Sequence, residues 1–288
     1  MPHKIIRLLC TLILVSVSLT ANSATVSRED FSRYFKSYFS DPAQMHILAS
    51  NMGVTEKAKE DIIIKYLRDI MTDDRYINKT YDDLSQMGLL DQPENSEDRN
   101  QKRVQTMQYS MYQLTALAHK GILRLSNAKQ RESAEYALNS IRQIREKKQY
   151  HFCRAFALRD FSRIGPDHLR ALNQLMYGEN GTLSLHDLSR TYALNREAVI
   201  AELSDNPQPR HLNEQERSLV EQGLTKYFEN LADNLSESEI ERLGAAFSDL
   251  NQSSDRDACD VLIIYQEAAL SLKGLLGELA VRYLIENE

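Results

Sequence analysis

The chain has 288 residues, of which 35 are basic and 41 acidic, and its formal net charge is −6. Hydrophobic residues make up 42% of it, with only 10 Gly, 6 Pro and 3 Cys. These values predict a folded globular protein and exclude disordered, collagen-like and disulfide-dense chains. The low glycine and proline content also argues against a β-sandwich or barrel.

The first residues have the pattern of a secretory signal peptide. Lys4 and Arg7 precede an apolar run from Leu8 to Leu19, and small residues follow at 20–24. This pattern predicts export and the removal of residues 1–23, with cleavage after Ser23 or Ala24. An uncleaved N-terminal anchor is the alternative, but the run is shorter than the roughly 20 residues of a membrane-spanning helix. We therefore expect a periplasmic or secreted protein, with no membrane association after cleavage.

Cleavage would remove Cys10 and leave Cys153 and Cys259. An even number of cysteines in an exported chain predicts a Cys153–Cys259 disulfide. Two buried thiols that never meet are the alternative, because sequence does not show whether the two Cα atoms come within bonding reach.

Hydrophobic residues recur at helical spacing along the mature chain. One hydrophobic helix face is predicted in each of residues 31–38, 62–70, 103–125 and 134–144. The aromatic stripe in the first of these could dock on a partner or a membrane, but we expect it to pack on its own bundle.

Helix N-termini are predicted at Ser184, Asn213 and Ser236, and the last has Glu239 three residues on, as in a capping box. The most apolar part of the mature chain, Cys259–Ile285, carries regularly spaced charges and is predicted to be the central core helix.

The sequence thus predicts an all-α protein, a multi-helix bundle of about ten helices. After the signal peptide, residues 24–92 are predicted to form an N-terminal helical region and residues 93–288 the main bundle. A weak resemblance between residues 130–165 and 236–272 suggests an internal repeat with two similar halves; chance similarity between amphipathic helices is the alternative.

Charge is strongly segregated along the chain. Residues 69–98 contain nine acidic and two basic residues, whereas residues 120–163 contain eleven basic and four acidic ones. Such surfaces steer the encounter with an oppositely charged partner. The predicted partner-binding residues are Asp73, Asp74, Asp82, Asp83, Arg142, Arg145, Lys147 and Lys148. The alternatives are solvated faces, or two stretches that face each other within the fold.

Short motifs of catalysis or metal binding are absent from the sequence. Residues 176–187 resemble an EF-hand loop with Gly181 at the turn and Asp187 at the end, but Met176 and Gly178 stand where oxygen ligands are needed. We therefore predict no metal, no cofactor and no catalytic residue. The negative net charge and the export signal also disfavour nucleic acid as a partner.

These observations favour an exported, non-catalytic helical protein that binds another protein in the periplasm. An immunity or inhibitor protein and a secretion-accessory chaperone both fit this description. The alternatives are a hydrolase-like periplasmic enzyme without a recognisable short motif, and a sensor of a small ligand or ion.

Overall fold

The computed structural model describes residues 26–93, 95–158, 166–178 and 181–287. The predicted signal peptide, residues 1–23, lies outside them. The described part is all-α, which confirms the predicted fold class. Its thirteen helices are α1 (Arg28–Ser40), α2 (Pro42–Asn51), α3 (Lys57–Met71), α4 (Asp74–Gln86), α5 (Ser96–Ile122), α6 (Asn127–Glu146), α7 (Tyr150–Leu158), α8 (Pro166–Tyr177), α9 (Leu185–Leu203), α10 (Glu214–Ala232), α11 (Glu237–Ser248), α12 (Asp255–Ser271) and α13 (Gly274–Asn287).

The predicted helix starts are confirmed by side-chain caps. Ser184 Oγ accepts a hydrogen bond from the backbone N–H of the third residue of α9. Asn213 and Glu216 form a capping box at the start of α10, and Ser236 and Glu239 form another at the start of α11. Each cap satisfies backbone N–H groups that a helix leaves without an internal partner, so local sequence sets these boundaries.

The aromatic stripe of α1 lies in a hydrophobic core. Phe31, Phe35 and Phe39 are buried, and they belong to a cluster that draws on α1 to α5. Helix α9 returns from the second half of the chain and adds Leu188 and Val199 to that cluster. The cluster therefore contains residues from both sides of the predicted boundary, and the division at residue 92 stays a prediction.

The backbones of helices α5 and α9 approach each other closely at Gly121. A Cβ atom at this position would lie 1.9 Å from the carbonyl oxygen of Ala198. Since an ordinary Cβ contact is far longer, only glycine allows the two backbones to cross here.

A second core joins α6, α7, α12 and α13. Cys153 of α7 and Cys259 of α12 are fully buried in it and form a disulfide, with Cα atoms 5.0 Å apart. This confirms the predicted pairing and connects positions 106 residues apart in the chain. Each cysteine lies near the start of the second helix of a helical pair (α6–α7 and α11–α12), and the internal repeat stays a prediction.

The C-terminal segment contains two helices, so the prediction of one central core helix over Cys259–Ile285 was wrong. Leu272 has an extended backbone, which ends α12. Gly274, with a φ of +59°, is the first residue of α13. The Arg131 guanidinium stabilises the break, because it donates to the carbonyl oxygens of Leu270 (2.9 Å) and Leu272 (3.1 Å). Within the described residues, no helix is both long enough and apolar enough to span a bilayer.

Candidate protein-binding surface

The predicted acidic residues at the start of α4 form ion pairs within the chain. Asp73 caps α4 and binds the Arg75 guanidinium through both of its oxygens, at 3.0 and 2.7 Å. These hydrogen bonds hold the pKa of Asp73 below its ordinary value. Asp74 pairs with Lys36 of α1 at 2.5 Å. Both carboxylates therefore help to join and cap the N-terminal helices.

Asp82 and Asp83, at the other end of α4, are also held within the fold. Asp82 pairs with Arg28, and the hydrogen bond from that guanidinium lowers the pKa of Asp82. Asp83 accepts hydrogen bonds from Tyr109 and Gln113 of α5, both at 2.8 Å. Burial, and then its bond to Asp83, raise the pKa of Tyr109 to about 12. These contacts link α4 to α1 and α5.

Two of the predicted basic residues connect α6 to α12. Arg142 donates to Glu267 at 2.6 Å, and Arg145 donates to the buried Asp260 at 2.7 Å. Among the ion pairs formed by described residues, none joins the acidic stretch to the basic one. The two stretches thus pair with other parts of the fold.

Lys147 and Lys148 directly follow α6 and are exposed to solvent. Neither forms an ion pair with a described residue, and Lys148 has a φ of +56°. Of the eight predicted partner-binding residues, only these two lysines present charge without an ion-pair partner in the described part of the chain. Partner binding at any of the eight stays a prediction.

Two described polar groups of the loop that resembles an EF-hand, at Gly178 and Asp187, bind other groups of the protein. The buried Lys59 ammonium donates to the carbonyl oxygen of Gly178 at 3.0 Å. The Asp187 carboxylate accepts from the Ser184 hydroxyl at 2.8 Å, as part of the helix cap. In the portion of the chain that is described, no three His, Cys, Asp or Glu side chains are grouped to hold a metal ion.

A cleft of about 410 Å³ lies between the α5–α6 turn and the end of α9. Its charged groups pair with each other or with their neighbours. Arg124 donates to Glu202 (2.6 Å) and Asp205 (2.7 Å), and Lys129 pairs with Glu197. The cleft therefore presents charge that is already neutralised within the chain.

Sequence reasoning missed the acidic surface of α10 and α11. Residues 213–249 contain nine acidic and three basic residues. Two of the three basic side chains pair with acids outside the segment: Arg217 with Glu286 and Arg242 with Asp257. Of the nine acids only Glu216 forms an ion pair with a described residue, Arg210, so most of the negative charge of this segment is unpaired within the described part of the chain.

The same segment exposes large apolar side chains. Leu219 is 52% exposed, Ile240 43% and Phe247 40%, and of the twelve residues of α11 only Leu243 and Ala246 are buried. The surplus of acidic residues was the signal available in the sequence. Exposed apolar groups surrounded by charge are typical of protein-binding surfaces.

The chain matches no known protein family, no curated protein and no solved structure. The fold and this surface define it as an all-α, disulfide-bonded protein with an acidic and partly apolar helical face.

Proposed function

We propose that this protein is exported to the periplasm and binds another protein there, without catalysis, through the acidic surface of residues 213–249. The observation that carries the proposal is the combination of exposed apolar side chains and carboxylates, all but one of which form no ion pair with a described residue. Apolar groups supply affinity once a partner excludes water, and the carboxylates attract a basic partner and speed its approach.

Two features support export. The first residues have the charge, apolar run and small-residue exit of a signal peptide. The Cys153–Cys259 disulfide is typical of proteins from oxidising compartments such as the periplasm. The mature protein should begin at Ala24 or Thr25, which N-terminal sequencing of the protein recovered from a periplasmic fraction would test.

An immunity or inhibitor protein and an accessory chaperone for secreted proteins are both compatible with this surface. They differ in what is bound, because an inhibitor holds one folded partner at equal stoichiometry and a chaperone holds unfolded segments of several. Size and composition of the captured complex separate the two roles.

Affinity capture tests the proposal. The tagged mature chain is incubated with a periplasmic extract of its source organism at low and at high salt, and the bound proteins are identified by mass spectrometry. We expect a protein partner that is retained at low salt and released at high salt, since exposed charges are screened by ions. An empty capture at both salt concentrations would overturn the proposal.

A variant tests the competing basic surface. Replacing the exposed lysines as Lys147→Ala and Lys148→Gly removes both charges, and glycine tolerates the positive φ at position 148. We expect this variant to capture the partner as well as the wild type. If capture is lost, the binding surface lies at the end of α6.

A further inference from the structure

One face of α11 is exposed along its whole length. Glu237, Ile240, Glu241, Gly244 and Phe247 are spaced so that they share this face, which we call the α11 strip. Its two apolar side chains are 43% and 40% exposed, and a Cβ atom at Gly244 would meet nothing within 4 Å. The strip is thus an apolar surface with an open notch at its centre.

The charge of the α11 strip is only negative. Arg242, the single basic residue of the helix, turns toward α12 and pairs with Asp257 and Asp260. Glu237 and Glu241 form no ion pair with a described residue and are exposed. A partner that approaches the strip therefore meets two carboxylates one helical turn apart.

Packing against α10 and α12 holds α11 in place. Leu243 and Ala246 pack with Val261 of α12 in a small buried cluster. The Phe247 ring lies edge-on to that of Phe228 in α10, with centroids 5.3 Å apart. The exposed face therefore needs little rearrangement to be occupied, which lowers the entropic cost of binding.

We infer that the α11 strip binds a basic amphipathic helix of the partner protein, an inference that rests on the proposed function. The apolar face of this partner helix would cover Ile240 and Phe247, and the notch at Gly244 lets the partner helix come close to α11. Lysines or arginines on its flank would pair with Glu237 and Glu241, so the charges of the two surfaces are complementary. Anionic lipid would be repelled by the same carboxylates.

Binding of a designed peptide tests this inference. The probe is a fluorescently labelled amphipathic helix of about 18 residues, built from leucine and lysine, and the control peptide has glutamate in place of lysine. Fluorescence anisotropy measures its affinity for the full mature chain at low and at high salt. We expect the lysine peptide to bind in a salt-dependent way and the glutamate peptide not to bind.

Two arginine variants locate the binding site. Gly244→Arg places a bulky positive charge in the notch and, because the space is open, should leave the fold intact. Ala245→Arg adds the same charge at the next, also exposed, position of α11, which lies about 100° round the helix from Gly244. We expect the first to weaken peptide binding about tenfold or more, and the second about twofold. Circular dichroism verifies that both variants fold.

Further variants measure the apolar contacts. Ile240→Ser and Phe247→Ser should each weaken binding about fivefold, since each side chain still has its exposed part to bury. The inference would be overturned if the two arginine variants weakened binding equally, or if the serine variants left it unchanged. Either result would show that the peptide is attracted by the overall negative charge and not bound at the strip. Binding to phosphatidylglycerol vesicles that Gly244→Arg does not weaken would also contradict it.

The inference and the proposed function fail separately. If the Gly244→Arg protein still captures its periplasmic partner at the wild-type level, the protein binds a partner through another surface and the α11 strip is not its site. If the wild type captures no partner, the proposed function fails, whatever the peptide does.

Discussion

Replacing Gly121 with alanine tests how closely α5 and α9 approach each other. The added Cβ atom would lie 1.9 Å from the carbonyl oxygen of Ala198 and 2.4 Å from its carbonyl carbon. Both are backbone atoms in the interior of α9, so no side-chain rotation relieves the contact. The helices would have to separate by about 1 Å, which also loosens the packing of Leu117 and Val199.

The expected loss follows from two opposing effects. Overpacking of this kind costs about 1 to 3 kcal/mol, and the upper part of that range applies because a helix backbone must move. Alanine favours the helix over glycine by up to about 1 kcal/mol, less near the end of α5. We therefore expect Gly121→Ala to lower the free energy of unfolding by about 2 kcal/mol.

Gly244→Ala is the matched control. The same substitution is made inside a helix, but its Cβ atom would meet no other atom within 4 Å. It should raise the free energy of unfolding by about 0.5 to 1 kcal/mol through helix propensity alone. Urea denaturation followed by circular dichroism measures both variants and the wild type.

The outcome that would refute this reasoning is a Gly121→Ala protein as stable as the wild type, or more stable. The α5–α9 crossing would then be wider than the structure shows. If Gly244→Ala is also destabilising, α11 is in contact with something at that position, which would weaken the case for an open strip.

Reduction of the Cys153–Cys259 disulfide should lower the free energy of unfolding by about 4 to 5 kcal/mol, because the bond closes a long loop in the unfolded chain. Urea titrations with and without reductant measure this, and an unchanged midpoint would contradict it. Stability should also fall on acidification below pH of about 4, since Arg75 holds the pKa of Asp73 below its ordinary value. The Asp73 carboxylate therefore takes up a proton less readily in the folded state than in the unfolded chain. Its ionised form stabilises the fold at neutral pH, and this stabilisation is lost as the pH falls through the folded-state pKa of Asp73. Urea titrations from pH 7 to pH 2 test the slope, which Asp73→Asn should reduce. Asp260→Asn should destabilise the fold by about 2 kcal/mol, because guanidinium groups from α6 and α11 lose a buried carboxylate; thermal unfolding of the variant at wild-type temperature would contradict this.

The sequence does not show which of the predicted partner-binding carboxylates are already paired within the fold. Asp82 and Asp83 look available in the sequence because, apart from Lys79, which pairs with Asp83, the groups that bind them come from distant parts of the chain. Arg28 comes from α1, and Tyr109 from α5, 26 residues away. An ion pair between distant residues depends on how helices pack, and the local charge count does not contain that information.

Ile240 and Phe247, in contrast, look buried in the sequence but are exposed in the structure. Their spacing in α11 is compatible with a core-facing stripe, and a helix in isolation gives no reason to place them outside. They are exposed because Leu243 and Ala246 take the contact with α12. Which of two adjoining apolar faces is buried is decided by the neighbouring helix.

The sequence by itself determined the all-α class and the positions of the capped helix starts, because helical periodicity and capping depend on residues within a few positions of each other. It predicted the Cys153–Cys259 pair but left open whether the two thiols meet, and helix packing brings their Cα atoms to 5.0 Å. The tertiary structure alone decided that α9 packs into the N-terminal core, that the α5 backbone contacts the α9 backbone at Gly121 and that the C-terminal segment breaks at Leu272–Gly274. It also decided which charged side chains form ion pairs with other described residues. These features depend on contacts between residues far apart in the chain, and such contacts are fixed only when the helices pack together.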